Sequence, residues 1–200
     1  MARKINWLGF AAGIVTLVML VVSFFEPWWR LTVGQNLIKI NASPIYTSFG
    51  IFGTQLTVPL IWAANLVAIL TFSACGIIML IYSLIPTKPY ANQLLGFSYK
   101  KPLYAVVSFV ALLVIILLIA GHFGVYIPIN GSATVTLPGS WTSGATVSAL
   151  VSAAFLLPFW LAVAAAALCL GAKLFHGTIA KPIVNPEAAT NPAVIAATAA

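Results

Sequence analysis

The chain alternates between long apolar runs and shorter stretches that hold most of its polar residues. Four runs, at 7–25, 58–85, 103–124 and 147–171, contain no Lys, Arg, Asp or Glu. A helix needs about 20 predominantly apolar residues to cross a bilayer, and each run is long enough. The pattern therefore predicts an all-α membrane protein built as a bundle of four transmembrane helices. Pro158 lies in the middle of the fourth run and predicts a kink there.

The stretch between the first two runs, 26–57, has the pattern of short strands. Apolar and polar residues alternate over 29–33 and again over 38–41, on either side of a short turn that contains a glycine. Alternation with period two around such a turn is typical of a β-hairpin. A third strand is predicted over 46–52.

The stretch between the last two runs, 125–146, predicts a second hairpin with strands over 125–129 and 133–137. The dipeptide Asn130-Gly131 between these strands favours a tight turn. An isolated hairpin is only marginally stable in water. We therefore expect the strands of both stretches to form one small extracytoplasmic β-sheet over the helix ends.

Composition narrows the range of possible functions. Hydrophobic residues make up 62% of the chain and charged residues 6%, against roughly 45–50% and 25% in soluble domains. The only acidic residues are Glu26 and Glu187, which excludes paired-carboxylate catalysis, a carboxylate-rich metal cage and a Ser-His-Asp triad. We expect a protein that is not an enzyme and holds no cofactor. Charged residues inside the membrane mark carriers and pumps, so the absence of Lys, Arg, Asp and Glu from the runs argues against both classes.

The basic residues indicate the orientation in the membrane. Arg30 and Lys39 flank the runs on one side, and seven basic residues flank them on the other. Because Lys and Arg collect in cytoplasmic flanks, both termini and the 87–102 loop are expected in the cytoplasm of a multi-pass plasma-membrane protein. The net charge of +7 reflects this topology and does not indicate nucleic-acid binding. The seven residues are Arg3, Lys4, Lys88, Lys100, Lys101, Lys173 and Lys181.

The two ends of the chain have different characters. The first run follows basic residues but lacks a small-residue cleavage site, which indicates an uncleaved signal anchor rather than a signal peptide. Residues 1–172 are predicted to form the membrane domain. The remainder, 173–200, is rich in Ala, Pro and Thr, and such a cytoplasmic tail should be disordered on its own.

Two Asn-x-Ser sequons begin at Asn41 and Asn130, both in stretches that are predicted to lie outside the cell. Such sequons are acceptors for N-linked glycans, so we expect a glycoprotein. Scarce acidic residues and abundant Thr, Ser and Asn outside the membrane would suit an acidic exterior, such as that of an acid-loving archaeon.

Four helices, cytoplasmic termini, a long strand-bearing first outer stretch and a shorter second one resemble the claudin and peripheral-myelin-protein family. The residues Trp28-Trp29-Arg30-Leu31 occupy a place comparable to that of the family's Gly-Leu-Trp motif, but the cysteine pair that follows it in the family is absent. The resemblance is architectural. It implies an adhesion or envelope protein whose outer strands pair between molecules.

Histidine and cysteine are the remaining candidates for chemistry. His122 and His176 are predicted on opposite sides of the bilayer, which excludes a haem held between them. His122 is a weak candidate for a metal or quinone contact, or simply an interfacial side chain, and His176 is expected in solvent. Cys75 and Cys169 are predicted about 10 Å apart in depth, too far for a disulfide, so both should be buried free thiols.

The residues Glu26, Trp28, Trp29 and Arg30 form a candidate outer interface at the end of the first run. The simplest interpretation is a carboxylate paired with Arg30 within the aromatic belt that marks a membrane boundary. Alternatively, Glu26 is buried among the rings and serves as a proton or cation site.

Small residues recur at four-residue spacing within the runs, which lets helix backbones approach closely. These pairs pack either the bundle itself or the helices of another protein, and Asn65 is expected to hydrogen-bond between helices. The pairs are Gly9 with Gly13, Ala64 with Ala68, Ala120 with Gly124, Ala162 with Ala166, and Ala167 with Gly171.

These observations favour a non-catalytic membrane subunit or scaffold of a larger complex. Its partners would be membrane lipid and other integral membrane proteins, or further copies of the chain. A second hypothesis is an accessory subunit of a quinone- or oxidase-linked complex that lends His122 or the Trp28–Trp29 pair to a redox pocket. The third is the claudin-like adhesion protein.

Overall fold

The structure is a computed structural model that describes residues 5–34, 36–56, 58–137 and 147–179. Most of the predicted cytoplasmic tail lies outside the described residues. The helices are α1 (Trp7–Ser23), α2 (Pro59–Leu84), α3 (Ala91–His122) and α4 (Leu157–Ile179). The strands are β1 (Trp29–Val33), β2 (Ile38–Ala42), β3 (Ser48–Ile51), β4 (Thr54–Leu56), β5 (Gly131–Leu137) and β6 (Val147–Phe155).

The helices pack as a bundle in which α1 and α3 each lie against both α2 and α4. Three stretches, Pro59–Leu84, Ala91–His122 and Leu157–Thr178, are long and apolar enough to cross a membrane. The remaining helix, α1, is apolar and has 17 residues, near the lower limit of about 17 for a span. The predicted mainly helical character is confirmed, and three helices of this length and apolar character are compatible with the predicted membrane protein.

The strands form one antiparallel sheet in the order β4-β3-β2-β1-β6-β5. The stretch 26–57 supplies β1 to β4, and the stretch 125–146 supplies β5. Strands from both stretches therefore join one sheet, as predicted. The predicted hairpin appears as β1 and β2, with Trp29 opposite Ala42 and Val33 opposite Ile38. We call the end of the bundle that carries this sheet the sheet end.

The fourth apolar run divides into a strand and a helix, so the prediction of one span over 147–171 is wrong. Its first part forms β6, which is hydrogen-bonded to β1 on one side and β5 on the other. Val151 and Ala153 are buried, and the residues before each of them are exposed. This alternation is typical of a strand that is covered on one face. Pro158 consequently lies in the first turn of α4, where its missing N–H breaks no helical hydrogen bond, and the predicted mid-span kink is also wrong.

The third helix begins earlier than the predicted span of 103–124. Most of the predicted 87–102 loop belongs to α3, and Pro102 is buried inside the helix. This first part is helical because Leu95 packs in a core cluster with Met79 of α2. Lys101 interrupts the apolar pattern of the sequence, but the helix continues through it. Its Nζ lies 3.0 Å from the centroid of the Phe97 ring.

The second predicted hairpin has a different partner. Residues 125–129 form no strand, and β5 pairs with β6 instead. Val125 and Ile127 pack against the core between α3 and the sheet, so their apolar character reflects burial and not a strand ladder. The prediction of a strand over 125–129 is therefore wrong. The short strand β4 was not predicted.

Candidate functional site

The junction between the bundle and the sheet is built around Trp28, which is completely buried. Its indole Nε1 donates to the Ser23 hydroxyl at the end of α1 (3.0 Å). Its ring centroid lies 5.2 Å from that of Phe109 on α3 and 6.2 Å from those of Phe72 on α2 and Phe159 on α4. One tryptophan thus contacts all four helices at the sheet end.

The next residue, Trp29, connects the two inter-run stretches. It begins β1, and its Nε1 donates to the carbonyl oxygen of Ile129 (2.8 Å). Its buried ring belongs to a cluster with Leu113 of α3 and Val135 of β5. The chain's own side chains therefore enclose both tryptophans, including the region that was a candidate quinone contact.

The two charged members of the predicted outer interface do not meet as expected. Glu26 is exposed in the turn after α1, so it is not buried among the aromatic rings. The Nε of Arg30 donates to Oδ1 of Asn41 on the neighbouring strand (3.2 Å). This hydrogen bond reinforces the pairing of β1 with β2 and takes the place of the expected contact with Glu26.

The two sequons lie in different environments. The Asn41 amide is engaged on both sides, because its Nδ2 also donates to Oγ of Ser48 (3.0 Å). Ser43, the hydroxyl residue of this sequon, is buried. Asn130, in contrast, is exposed in the turn that precedes β5.

Asn65 ties a loop of the sheet to α2 rather than one helix to another. With the amide in the orientation that satisfies both groups, its Nδ2 donates to the carbonyl oxygen of Pro44 (3.1 Å). Its Oδ1 then accepts from the backbone N–H of Thr47 (3.1 Å). The side chain therefore fixes the turn between β2 and β3 on the first turns of α2.

A buried hydrogen-bond network closes the opposite end of the bundle. Asn6 is completely buried; its Oδ1 accepts from the N–H of Gly9 and caps α1 (3.1 Å). Its Nδ2 donates to the hydroxyl of Tyr82 on α2 (2.8 Å). That hydroxyl lies 2.8 Å from Nδ1 of His176 on α4. His176 is thus not the fully solvated residue that was predicted, because α4 continues beyond the end of the apolar run.

The other candidates for chemistry are one surface histidine and two buried thiols. His122 is exposed at the end of α3 and contacts the ring of Phe123. Cys75 and Cys169 are buried free thiols. Within the described residues, no group of three or more His, Cys, Asp or Glu side chains is placed to hold a metal ion.

Two of the five small-residue pairs pack inside the chain. At Gly13, an added Cβ would lie 2.7 Å from the Cγ of Leu80 and 3.1 Å from the carbonyl oxygen of Gly76 on α2. Ala162 and Ala166 are buried on α4. Each of the other pairs has one exposed member, namely Ala64, Gly124 and Ala167.

An apolar groove of about 430 Å³ runs along α3 near the sheet end. The segment that follows α3 forms its second wall. Gly121 of α3 lines the groove, and an added Cβ there would meet no atom within 4 Å. The side chains that line the groove with Gly121 are Val114, Leu117, Leu118, Val125, Tyr126, Ile127 and Ile129.

Comparisons with protein-family models, with curated proteins and with solved structures found no match for this chain. The functional argument therefore depends on the geometry of the chain itself.

Proposed function

We propose that this chain is a non-catalytic integral membrane subunit or scaffold that holds other membrane proteins through the outer half of α3. The observation that carries the proposal is the groove beside Gly121, which the chain's own helices leave unfilled. Five large apolar side chains of the same helix are more than half exposed, and Leu118 among them lines the groove. They are Leu112, Ile115, Ile116, Leu118 and Ile119.

The rigid connection between bundle and sheet supports a scaffold in particular. Trp28 contacts all four helices, and Trp29 and Asn65 fix the loops of the sheet to α3 and α2. A partner helix in the groove would therefore be held in a set position relative to the outer sheet.

The topology that we propose has four spans, with α1 crossing the membrane together with the three longer helices. The sheet then lies outside the cell, both termini lie in the cytoplasm, and the membrane is the plasma membrane. The distribution of basic residues supports this orientation. The exposed position of Asn130 makes it the better glycan acceptor of the two sequons.

The test is gentle detergent extraction from native membranes, followed by native mass spectrometry. We expect the chain in complexes of fixed stoichiometry with other membrane proteins. Gly121→Leu fills the groove and should reduce the recovered partner at least about tenfold, a change of about 1.4 kcal/mol. Gly96→Leu is the matched control, because Gly96 is also on α3 with open space around it but lies far from the groove. A stable monomer without partners, or equal effects of both substitutions, would contradict the proposal.

A further inference from the structure

A second cavity lies at the sheet end, where strand β4 meets the start of α2. Its volume is about 210 Å³, and it shares no described lining residue with the groove along α3. We call it the β4 cavity. Its described lining residues are Tyr46, Thr47, Ser48, Phe49, Gln55, Leu56, Val58, Ile61, Trp62 and Asn65.

The turn between β2 and β3 forms a fixed wall of the β4 cavity. The Asn65 side chain holds this turn through Pro44 and Thr47. Within the turn, the Thr47 hydroxyl donates to the carbonyl oxygen of Ser43 (2.7 Å), and the Ile45 N–H donates to Oγ of Ser43 (3.1 Å). Because these hydrogen bonds already order the wall, a ligand binds without the entropic cost of ordering it.

The charges around the β4 cavity favour a neutral ligand. None of its described lining residues is charged, so none of them can pair with a phosphate, a carboxylate or an ammonium group. A buried charge without a partner is costly. The described charged residues of the sheet and its turns are Arg30, Lys39 and Glu26, two positive and one negative, which further disfavours a cation.

Three lining residues carry polar groups that make no hydrogen bond with the rest of the described chain. They are the hydroxyl of Tyr46, the side-chain amide of Gln55 and the indole N–H of Trp62. The hydroxyl and the amide can each donate and accept, and the indole can only donate. A ligand that matches all three must offer both donors and acceptors, as alcohol groups do.

The size of the cavity and its aromatic side chains indicate a ring. Trp62 is 64% exposed and Tyr46 is 40% exposed, so both are accessible to a ligand. A cavity of roughly 150 Å³ holds one benzene molecule, so about 210 Å³ accommodates one six-membered ring with its substituents. A pyranose sugar combines such a ring, whose C–H groups pack on aromatic faces, with hydroxyl groups around its edge.

The surface of α2 next to the cavity provides a path for acyl chains. Leu66 and Leu70 follow Trp62 at four-residue spacing, which places the three residues on one face of the helix. The two leucines are 42% and 63% exposed. The row extends about 12 Å from Trp62 away from the sheet end. Because tryptophan marks the membrane boundary, the β4 cavity lies at the depth of lipid headgroups in the proposed topology.

We propose that the β4 cavity binds the neutral sugar headgroup of a membrane glycolipid. The sugar ring packs against Trp62, its hydroxyl groups hydrogen-bond to Gln55 and Tyr46, and the acyl chains lie along Leu66 and Leu70. The site is separate from the groove along α3, so the proposal goes beyond the scaffold function and does not depend on a partner protein.

The test is native mass spectrometry of the purified chain in a polyoxyethylene detergent, which carries no sugar. Monoglucosyl diacylglycerol, diacylglycerol and phosphatidylcholine with the same acyl chains are added in separate experiments. We expect one glucosyl lipid per chain, bound at least about tenfold more tightly than the other two lipids, a difference that one good polar contact can supply. Equal binding of diacylglycerol would overturn recognition of the sugar, and tighter binding of phosphatidylcholine would indicate an aromatic site for the choline group instead.

Methyl glucoside tests whether the ligand is a lipid or a free sugar. It carries the same ring without acyl chains and should bind at least about tenfold more weakly than the glucosyl lipid, because it buries no apolar surface along α2. Equal affinities for the two compounds would contradict the lipid as the source of the sugar.

Two substitutions locate the site. Trp62→Leu removes the aromatic face from an exposed position and should weaken binding of the glucosyl lipid by about tenfold. Trp160→Leu on α4 is the matched control, because Trp160 is 58% exposed and does not line the cavity. Gln55→Leu should weaken the glucosyl lipid and leave diacylglycerol unchanged. Equal effects of the two tryptophan substitutions would overturn the assignment of the site.

Discussion

Single polar atoms decide how the two ends of the bundle are joined. At the sheet end, the Ser23 hydroxyl oxygen accepts a hydrogen bond from the indole N–H of Trp28, and at the opposite end Tyr82 links Asn6 to His176. The sequence drew attention to Trp28 because it follows an apolar run beside another tryptophan. Nothing in the sequence predicted the contact between Asn6 and Tyr82. A tyrosine in an apolar run is common, and the two residues are 76 positions apart.

Tyr82→Phe tests the network at the opposite end. The substitution keeps the ring and removes the hydroxyl, so the buried Nδ2 of Asn6 keeps only its longer hydrogen bond to the carbonyl oxygen of Ala172 (3.4 Å), and Nδ1 of His176 loses its contact with the hydroxyl. A lost buried hydrogen bond costs about 1 kcal/mol, so the midpoint of thermal unfolding in detergent should fall by a few degrees. Tyr104→Phe, at an exposed position on α3, is the control and should leave the midpoint unchanged. Equal midpoints for both variants would mean that the hydrogen bond contributes nothing to stability.

Close packing between helices depends on where glycine lies. α1 and α2 approach at Gly13 and Gly76, where an added Cβ on either residue would lie 2.7 Å from a leucine of the facing helix. The four-residue spacing of Gly9 and Gly13 indicated a packing face, but it did not show whether the neighbour was α2 or a helix of another protein. That choice depends on the arrangement of all four helices.

Gly13→Val tests this approach. The branched side chain must displace Leu80 and meets the backbone at Gly76, so overpacking should cost about 1–3 kcal/mol. Thermal unfolding in detergent measures the loss. Gly96→Ala on α3 meets no atom within 4 Å and should instead stabilise the protein by up to about 1 kcal/mol through helix propensity. A neutral Gly13→Val would show that α1 and α2 can separate without cost.

At the scale of the whole molecule, the sheet and the bundle form one body. Trp28 packs among the helices, Trp29 reaches the segment after α3, and Asn65 reaches the turn before β3. All three lie where a strand or its turn meets the sheet end of the bundle. The proposed orientation consequently places the whole sheet on one side of the membrane.

Labelling with a membrane-impermeant maleimide on sealed right-side-out vesicles tests this orientation. Ser132→Cys lies on the exposed side of β5 and should react in intact vesicles. Lys100→Cys lies at the opposite end of the bundle and is exposed, so it should react only after permeabilisation. The parent cysteines are buried and serve as the unlabelled control. The reverse pattern would invert the proposed topology.

Local chemistry was sufficient to predict the long apolar helices α2 and α3 and the hairpin of β1 and β2. Hydropathy and side-chain period act over windows of a few residues, and they place α2 within one residue of its predicted bounds. They did not separate β6 from α4, because a strand covered on one face and a spanning helix have similar apolar content over residues 147–156. The division arises from long-range pairing, since β6 is held between β1 and β5. The network of Asn6, Tyr82 and His176 likewise exists only because residues far apart in the chain meet.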